Sequence, residues 1–384
     1  MKRRSLLFAA SLLVIVATAI WLRHSPLRRP PAISPRPPAV LPSASPPAPT
    51  TPGISVAPAN RRDADSLLDR AARELAALPL AQRRARVQQL LRELALLPAG
   101  QRSDTIVNFL HTGVDVVLPG EFLLGPGGWL RDWPTFRQAL FDYLAQFDSA
   151  TARFVAQEIL THPPADQPGQ WALALRELAR GHPATDWSPV VASRMVDLLN
   201  NPEWARDAPR AYLEAFDVIV AGRATSLLPE LSRLSVTGGH ATRFAAFVSA
   251  DRLMLAAPAA TLAELQRTPS LFGQQPQIRA GLFARADLRD SAQTTALNAY
   301  FAREDVPPAE RSAFAALFPL YDLTVSNNLL TAPTTRSLAD MQAHDRLAIA
   351  ALSTWTSDPH FAAWQDAFAA INNRLQQQLS VAKP

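Results

Sequence analysis

From residue 67 to residue 379 apolar side chains return at steps of three and four, and that spacing can place them on one face only if the backbone is α-helical. Leu67, Leu68, Ala71, Ala72, Leu75 and Leu78 make the first such face, and Val87, Leu90, Leu91, Leu94 and Leu97 the second. The same spacing predicts helices over 136–147, 152–160, 171–179, 190–199, 208–220, 244–255, 296–301, 338–352 and 361–379. Alternating β-branched runs closed by tight turns are scarce, and 114–117 is the main exception. A helix with one apolar face must find neighbours to cover it, so the expected fold class is all-α.

Helix starts are marked by local chemistry. In Asn201-Pro202-Glu203-Trp204 and Asp358-Pro359-His360-Phe361 a short polar side chain stands where it can accept from free amides. Proline follows in the first turn, where a missing N–H costs nothing. A second arrangement, proline followed three or four residues later by arginine, recurs at Pro79 to Arg83, Pro98 to Arg102 and Pro308 to Arg311. Helices of 10 to 20 residues joined by such short breaks bury their faces by stacking as antiparallel pairs. In this respect the body resembles HEAT and armadillo α-solenoids, and Leu97-Pro-Ala-Gly-Gln-Arg102 is similar to short repeats of bacterial envelope proteins. That resemblance implies an irregular α-solenoid or stacked helical hairpins with a surface that holds another protein. A multi-domain helical bundle is the competing architecture.

The chain before this body is of another kind. Residues 5–22 carry no charge and follow Lys2-Arg3-Arg4, and as a helix they would span about 27 Å, enough for a bilayer core. Ala17-Thr18-Ala19 offers a small-x-small cleavage site, but Ile20, Trp21 and Leu22 continue the apolar run across it, which favours an uncleaved anchor over a removed signal peptide. Twelve prolines between 26 and 58 then enforce an extended spacer, able to hold the body up to about 100 Å from a membrane. The expected organisation is a transmembrane segment at 1–24, a proline-rich linker at 25–62, and a helical body at 63–384 with a sub-boundary near 181–188. With the amino terminus in the cytoplasm, the body would lie in the periplasm of a bacterial inner membrane; after cleavage it would be a free periplasmic protein.

Charge supports this division. The chain has a formal charge of +5, but residues 1–60 hold seven basic groups and no acid, which leaves −2 for the remainder. A near-neutral body lacks the concentrated positive face that nucleic acid requires, so no nucleic-acid partner is expected. The strip Arg83, Arg84 and Arg86 reads as a solvated helix face. There is no cysteine, and lysine occurs only as Lys2 and Lys383, which removes thiolate, Schiff-base and Walker-type chemistry from the body.

One segment breaks the helical texture. Residues 111–133 hold five of the fourteen glycines, at 113, 120, 125, 127 and 128, together with Pro119 and Pro126. It also carries Phe122, Trp129 and Trp133, so it must pack over a groove or meet a partner. As a binding loop it would use Trp129 and Trp133 as anchors and Asp115, Glu121, Arg131 and Asp132 as polar contacts. As a connection tucked over the core, its tryptophans would be interior. The candidate partner-binding residues are Phe122, Trp129, Arg131, Asp132 and Trp133.

Catalytic patterns are lacking. None of the seven histidines forms an i, i+4 pair, and no Gly-x-Ser-x-Gly elbow occurs. Glu121, Asp132, Glu158, Glu214 and Asp217 could supply a carboxylate pair, with Glu214 and Asp217 one turn apart. The leading expectation is therefore a non-enzymatic, membrane-anchored scaffold or adaptor that binds another envelope protein, without cofactor or metal. An envelope polysaccharide- or peptide-processing enzyme and a helical ligand-binding sensor are the alternatives.

Overall fold

A computed structural model describes residues 59–180, 189–321, 329–332 and 336–381. The expected span at 5–22, most of the spacer, and the sub-boundary at 181–188 lie outside the described residues. The first helix, α1 (Ala59–Ala77), begins inside the stretch assigned to the spacer. Pro58 is the last proline of the run, so from Ala59 onward every residue can donate to a helix.

The described residues are all-α, with seventeen α-helices and one small hairpin. Before the hairpin come α2 (Leu80–Ala95) and α3 (Ala99–His111). The hairpin strands are β1 (Leu123–Leu124) and β2 (Leu130–Asp132). Then follow α4 (Phe136–Phe147), α5 (Ser149–Thr161), α6 (Pro168–Arg180), α7 (Pro189–Leu199), α8 (Pro202–Arg206) and α9 (Arg210–Ala221). Next are α10 (Leu228–Thr237), α11 (His240–Ala256), α12 (Pro258–Arg267) and α13 (Pro276–Ala284). The last four are α14 (Ser291–Phe301), α15 (Pro308–Leu317), α16 (Leu338–Ser357) and α17 (Gln365–Val381). The β-branched run at 114–117 contributes only a bridge between Val117 and Thr135, and the strand pair forms further on.

The boundaries follow the capping chemistry. Asn201 accepts from the amides of Glu203 and Trp204, Thr135 from Gln138, Asp148 from Thr151, and Asp290 from Ala292 and Gln293. Asp358 likewise accepts from His360, but the turn it opens, Pro359–Trp364, is a 3₁₀-helix, and α17 starts only at Gln365. The arginine after each helix-opening proline has a use. Arg83 donates to the carbonyls of Leu78 (3.0 Å) and Ala76 (3.1 Å) and Arg311 to that of Val306 (2.9 Å), so each satisfies oxygens just before its own helix. The basic strip is thus engaged internally, for Arg86 also pairs with Glu74 and Glu93 and Arg84 with Asp132.

Packing runs in series. Helices α1, α3, α4, α6, α9, α11, α13, α15 and α17 each lie against the next in that line, while α5, α10, α12, α14 and α16 flank it. The apolar core follows the line without a break from Leu68 to Leu375. It is densest in aromatic rings near its end, where Phe301 meets Trp355 and Trp364 (both 4.9 Å), Phe368 (5.1 Å) and Phe314 (5.4 Å).

Buried ion pairs join neighbours along the same line. Asp142 of α4 meets Arg176 of α6 at 2.6 Å, and Asp217 of α9 meets Arg252 of α11 at 2.6 Å. Asp251 of α11 binds both Nε and Nη2 of Arg285, just beyond α13, and Glu310 of α15 stands 3.6 Å from Arg279 of α13. Among the described residues no helix is long and apolar enough to cross a membrane.

Asp217 is the most heavily used of these carboxylates. It accepts from Arg252, from the amides of Leu330 (2.7 Å) and Thr331 (2.9 Å), and from the Thr331 hydroxyl (2.6 Å). Asp217→Ala strands a largely buried guanidinium and two amides, and is expected to lower the unfolding free energy by roughly 3–5 kcal/mol in urea titration. A loss below about 1 kcal/mol would show that the pair is not a structural joint.

Candidate functional site

Downstream of α3 the chain cannot continue as a helix, since Gly113 takes φ +73. It runs extended past α4, burying Val116 and Leu118 and pairing Leu118 N with Pro134 O (2.8 Å) and Phe136 N with Val116 O (2.9 Å). It then turns back through Gly125-Pro-Gly-Gly128 as the β1–β2 hairpin. Gly127 and Gly128 have φ of +71 and +72, a conformation that side-chain-bearing residues rarely adopt. The turn therefore closes only with glycine at both places.

This hairpin is held by charge. Arg176 Nη1 donates to Gly128 O (2.9 Å) as well as to Asp142, and its Nε donates to Glu177 (2.6 Å). The other Asp142 oxygen accepts from Leu130 N (3.1 Å). Arg180 donates to Gly127 O (2.7 Å) and lies over the Trp129 ring, 3.9 Å from its centre, with Arg176 at 4.8 Å. The Asp142 and Arg176 side chains are fully buried, so each charge depends on its partners for the solvation it has lost. Burial, followed by repulsion from Arg176, pulls Arg180 below the ordinary arginine range.

The candidate partner-binding residues fall on both sides of the surface. Phe122 is buried in the core and Trp133 is half-buried against it, with an indole Nε1 that has no hydrogen-bond partner. Trp129 is half-buried and stacked on arginine, Asp132 stands 3.5 Å from Arg84, and Arg131 is exposed. Asp115 binds the amides of Val116 (2.8 Å) and Arg137 (3.0 Å) and so serves the start of α4. Two open clefts flank the hairpin. One, of about 360 Å³, is lined by Trp129, Arg153, Glu177 and Arg180. The other, of about 380 Å³, is lined by Phe122, Gln138, Gly169 and Arg210 among others.

The five carboxylates singled out in the sequence are not brought together as one site. Glu158 pairs with His111 at 2.8 Å, Asp217 is consumed in the joint described above, and Glu121 and Asp132 serve opposite arginines. Glu214 is pushed up from the ordinary carboxylate range by burial, an effect that Arg210 partly offsets. Among the described residues no group of three or more His, Asp or Glu side chains could hold a metal ion.

A cluster that sequence reasoning missed joins the α13–α14 connection to α16. His344 Nε2 accepts from Leu288 N (2.9 Å), which leaves its proton on Nδ1, facing Tyr321 Oη at 2.8 Å; Tyr321 in turn donates to Asp345 (2.9 Å). Burial pushes His344 down to about 4, and Asp287, 3.5 Å away, is held down to about 2, chiefly by Arg289. No signal in the sequence groups these residues, because chain reversals separate them.

No family model matches the sequence, and no curated protein or solved structure is significantly similar to it.

Two outcomes follow from this chemistry. Asp142→Ala should free the hairpin and speed trypsin cleavage after Arg131 by roughly tenfold or more, equivalent to about 1.4 kcal/mol of lost closure; an unchanged rate would detach the hairpin from the ion network. Below pH 6.5 the unfolded histidine takes up a proton that folded His344 refuses until about pH 4, so stability should fall as pH drops through that window. The loss should be on the order of 2 kcal/mol after discounting for solvent, and His344→Gln should flatten it in unfolding curves recorded between pH 7 and 4.

Proposed function

We propose that the chain is a membrane-anchored scaffold of the bacterial envelope, whose body binds another protein through the face that carries the 111–133 segment. In this reading residues 5–22 anchor the chain, the prolines up to 58 keep the body away from the bilayer, and the body works in the periplasm. The helices from α1 to α17 are taken as an irregular α-solenoid in the manner of HEAT and armadillo proteins. What supports that likeness is their serial packing, each helix of the line against the next.

The observation that carries the binding role is the fixed hairpin. Asp142, Arg176 and Arg180 hold its backbone, while Arg131 on β2 and Val117 in the stretch leading to the hairpin, 65% exposed, are left open to solvent. A surface that is ordered before a partner arrives loses little entropy on binding. The buried charges named above are engaged in joining helices, which favours a scaffold over a carboxylate-based enzyme.

The test is crosslinking of tagged full-length protein in intact cells, with mass-spectrometric identification of what is attached. A defined protein partner is expected, and the double change Val117→Asp with Arg131→Glu should cut its yield by about tenfold, or about 1.4 kcal/mol of binding. Recovery of only a small molecule or glycan, or a yield indifferent to the double change, would remove this reading.

A further inference from the structure

The cleft of about 380 Å³ beside the hairpin is built differently from the rest of the surface. The starts of three helices line it: Thr135 and Gln138 of α4, Pro168 and Gly169 of α6, and Pro209, Arg210 and Ala211 of α9. Helix starts carry free amides and partial positive charge. Those of α4 are already satisfied, Phe136 N by Val116 O, Arg137 N by Asp115 and Gln138 N by Thr135. The first turn of α9 is not, because its N-cap is Pro209 and no side chain caps it.

Independent of the helix ends is Gln138. Its side chain is 6% exposed, it lines the cleft, and its Oε1 is buried with no hydrogen-bond partner. A buried amide oxygen without a partner is expensive, on the order of 1–3 kcal/mol. A β-carbon at position 169 would lie 2.5 Å from Gln138 Nε2, so glycine there leaves room for the amide against the first turn of α6. Arg210 is ion-paired through Nη1 with Glu121 at 3.7 Å and through Nε with Glu214 at 3.6 Å, which leaves Nη2 to meet a ligand in the cleft.

We infer that this cleft binds the free carboxyl end of a peptide. The terminal carboxylate would sit at the uncapped start of α9 with Arg210, while the last peptide N–H would donate to Gln138 Oε1. The final side chain would rest on Phe122, Pro134 and Pro168. A bare anion fits less well, because it brings no N–H for Gln138 Oε1, whereas a peptide supplies that donor and further N–H groups from which Glu121 and Asp166 at the cleft can accept. This inference does not rest on the scaffold reading, and its test uses different variants.

The experiment is calorimetric or ligand-observed NMR titration of full-length protein in detergent with three probes: N-acetyl-alanyl-leucine as the free acid, the same dipeptide as its carboxamide, and sodium acetate. The free acid should bind, with carboxamide and acetate each weaker by about tenfold or more. Gln138→Leu, Arg210→Gln and Gly169→Ala should each weaken the free acid by a similar factor, and Leu338→Ala, at an exposed position on α16, should not. Gln138→Leu and Arg210→Gln keep the question decidable if Gly169→Ala fails to fold. Equal binding of acid and carboxamide, acetate binding as tightly as the dipeptide, indifference to Gln138→Leu and Arg210→Gln, or no binding at all would each overturn the inference.

Discussion

A buried arginine reaching a carboxylate on the neighbouring helix is the interaction on which this body depends. It occurs between α4 and α6, between α9 and α11, at the junction of α11 with the end of α13, and between α13 and α15. In three of these joints aspartate precedes arginine by 34, 35 and 34 residues, about the length of one helix, its flanking helix and their connections. Apolar faces alone would let such helices slide or rotate at little cost, since one leucine–alanine surface resembles another. A buried ion pair fixes the two helices it joins, for any shift leaves two charges without solvent or partner.

The same joints organise the chain that is not helical. The β1–β2 hairpin is tied to the first pair, since Asp142 accepts from Leu130 and Arg176 donates to Gly128. Leu330 and Thr331, more than a hundred residues beyond α9, are tied to the second pair through Asp217. In each case a carboxylate oxygen left over from the arginine contact takes up backbone amides that would otherwise be buried without partners. Irregular segments are thereby added to the helical line without loosening it. The hairpin tip is ordered for the same reason that α4 and α6 are in register.

Much of this architecture was legible in the sequence, and the failures have physical causes. The helix expected over 136–147 coincides with α4, because a half-buried helix leaves its period in the sequence. Helices α10, α12 and α13 escaped notice. Each carries proline in its first turn, which reads as a break although it is a start, and residues 279–284 of α13 are buried consecutively, so no polar face reveals a period. The ion pairs are written in the sequence as spacings, yet among 38 basic and 33 acidic residues many pairs share such a spacing by chance. Only the order of the helices singles out those that touch. The glycine-rich segment was recognised as non-helical from its composition, but nothing in its residues foretold that Arg176 and Arg180, some fifty positions on, would hold it.

Serial packing has a further consequence at the helix starts. Helices α4, α6 and α9 follow one another in the line, with α5 between the first two and α7 and α8 between the second and third, and their amino-terminal ends come to the same cleft. Each end brings free amides, and the chain must dispose of them. At α4 it does so fully, with the carbonyl of Val116, the carboxylate of Asp115 and the hydroxyl of Thr135. At α9 it places Pro209, which sets the entry angle and offers no acceptor. Selection for stability alone would put Ser, Thr, Asp or Asn there, as at five other starts in this chain, namely Thr135, Asp148, Asn201, Asp290 and Ser337. Other starts in this chain also lack a side-chain cap, among them those after Pro79, Pro98 and Pro307, but that of α9 falls beside an amide oxygen with no partner of its own, and a ligand that carries an acceptor next to a donor would meet both.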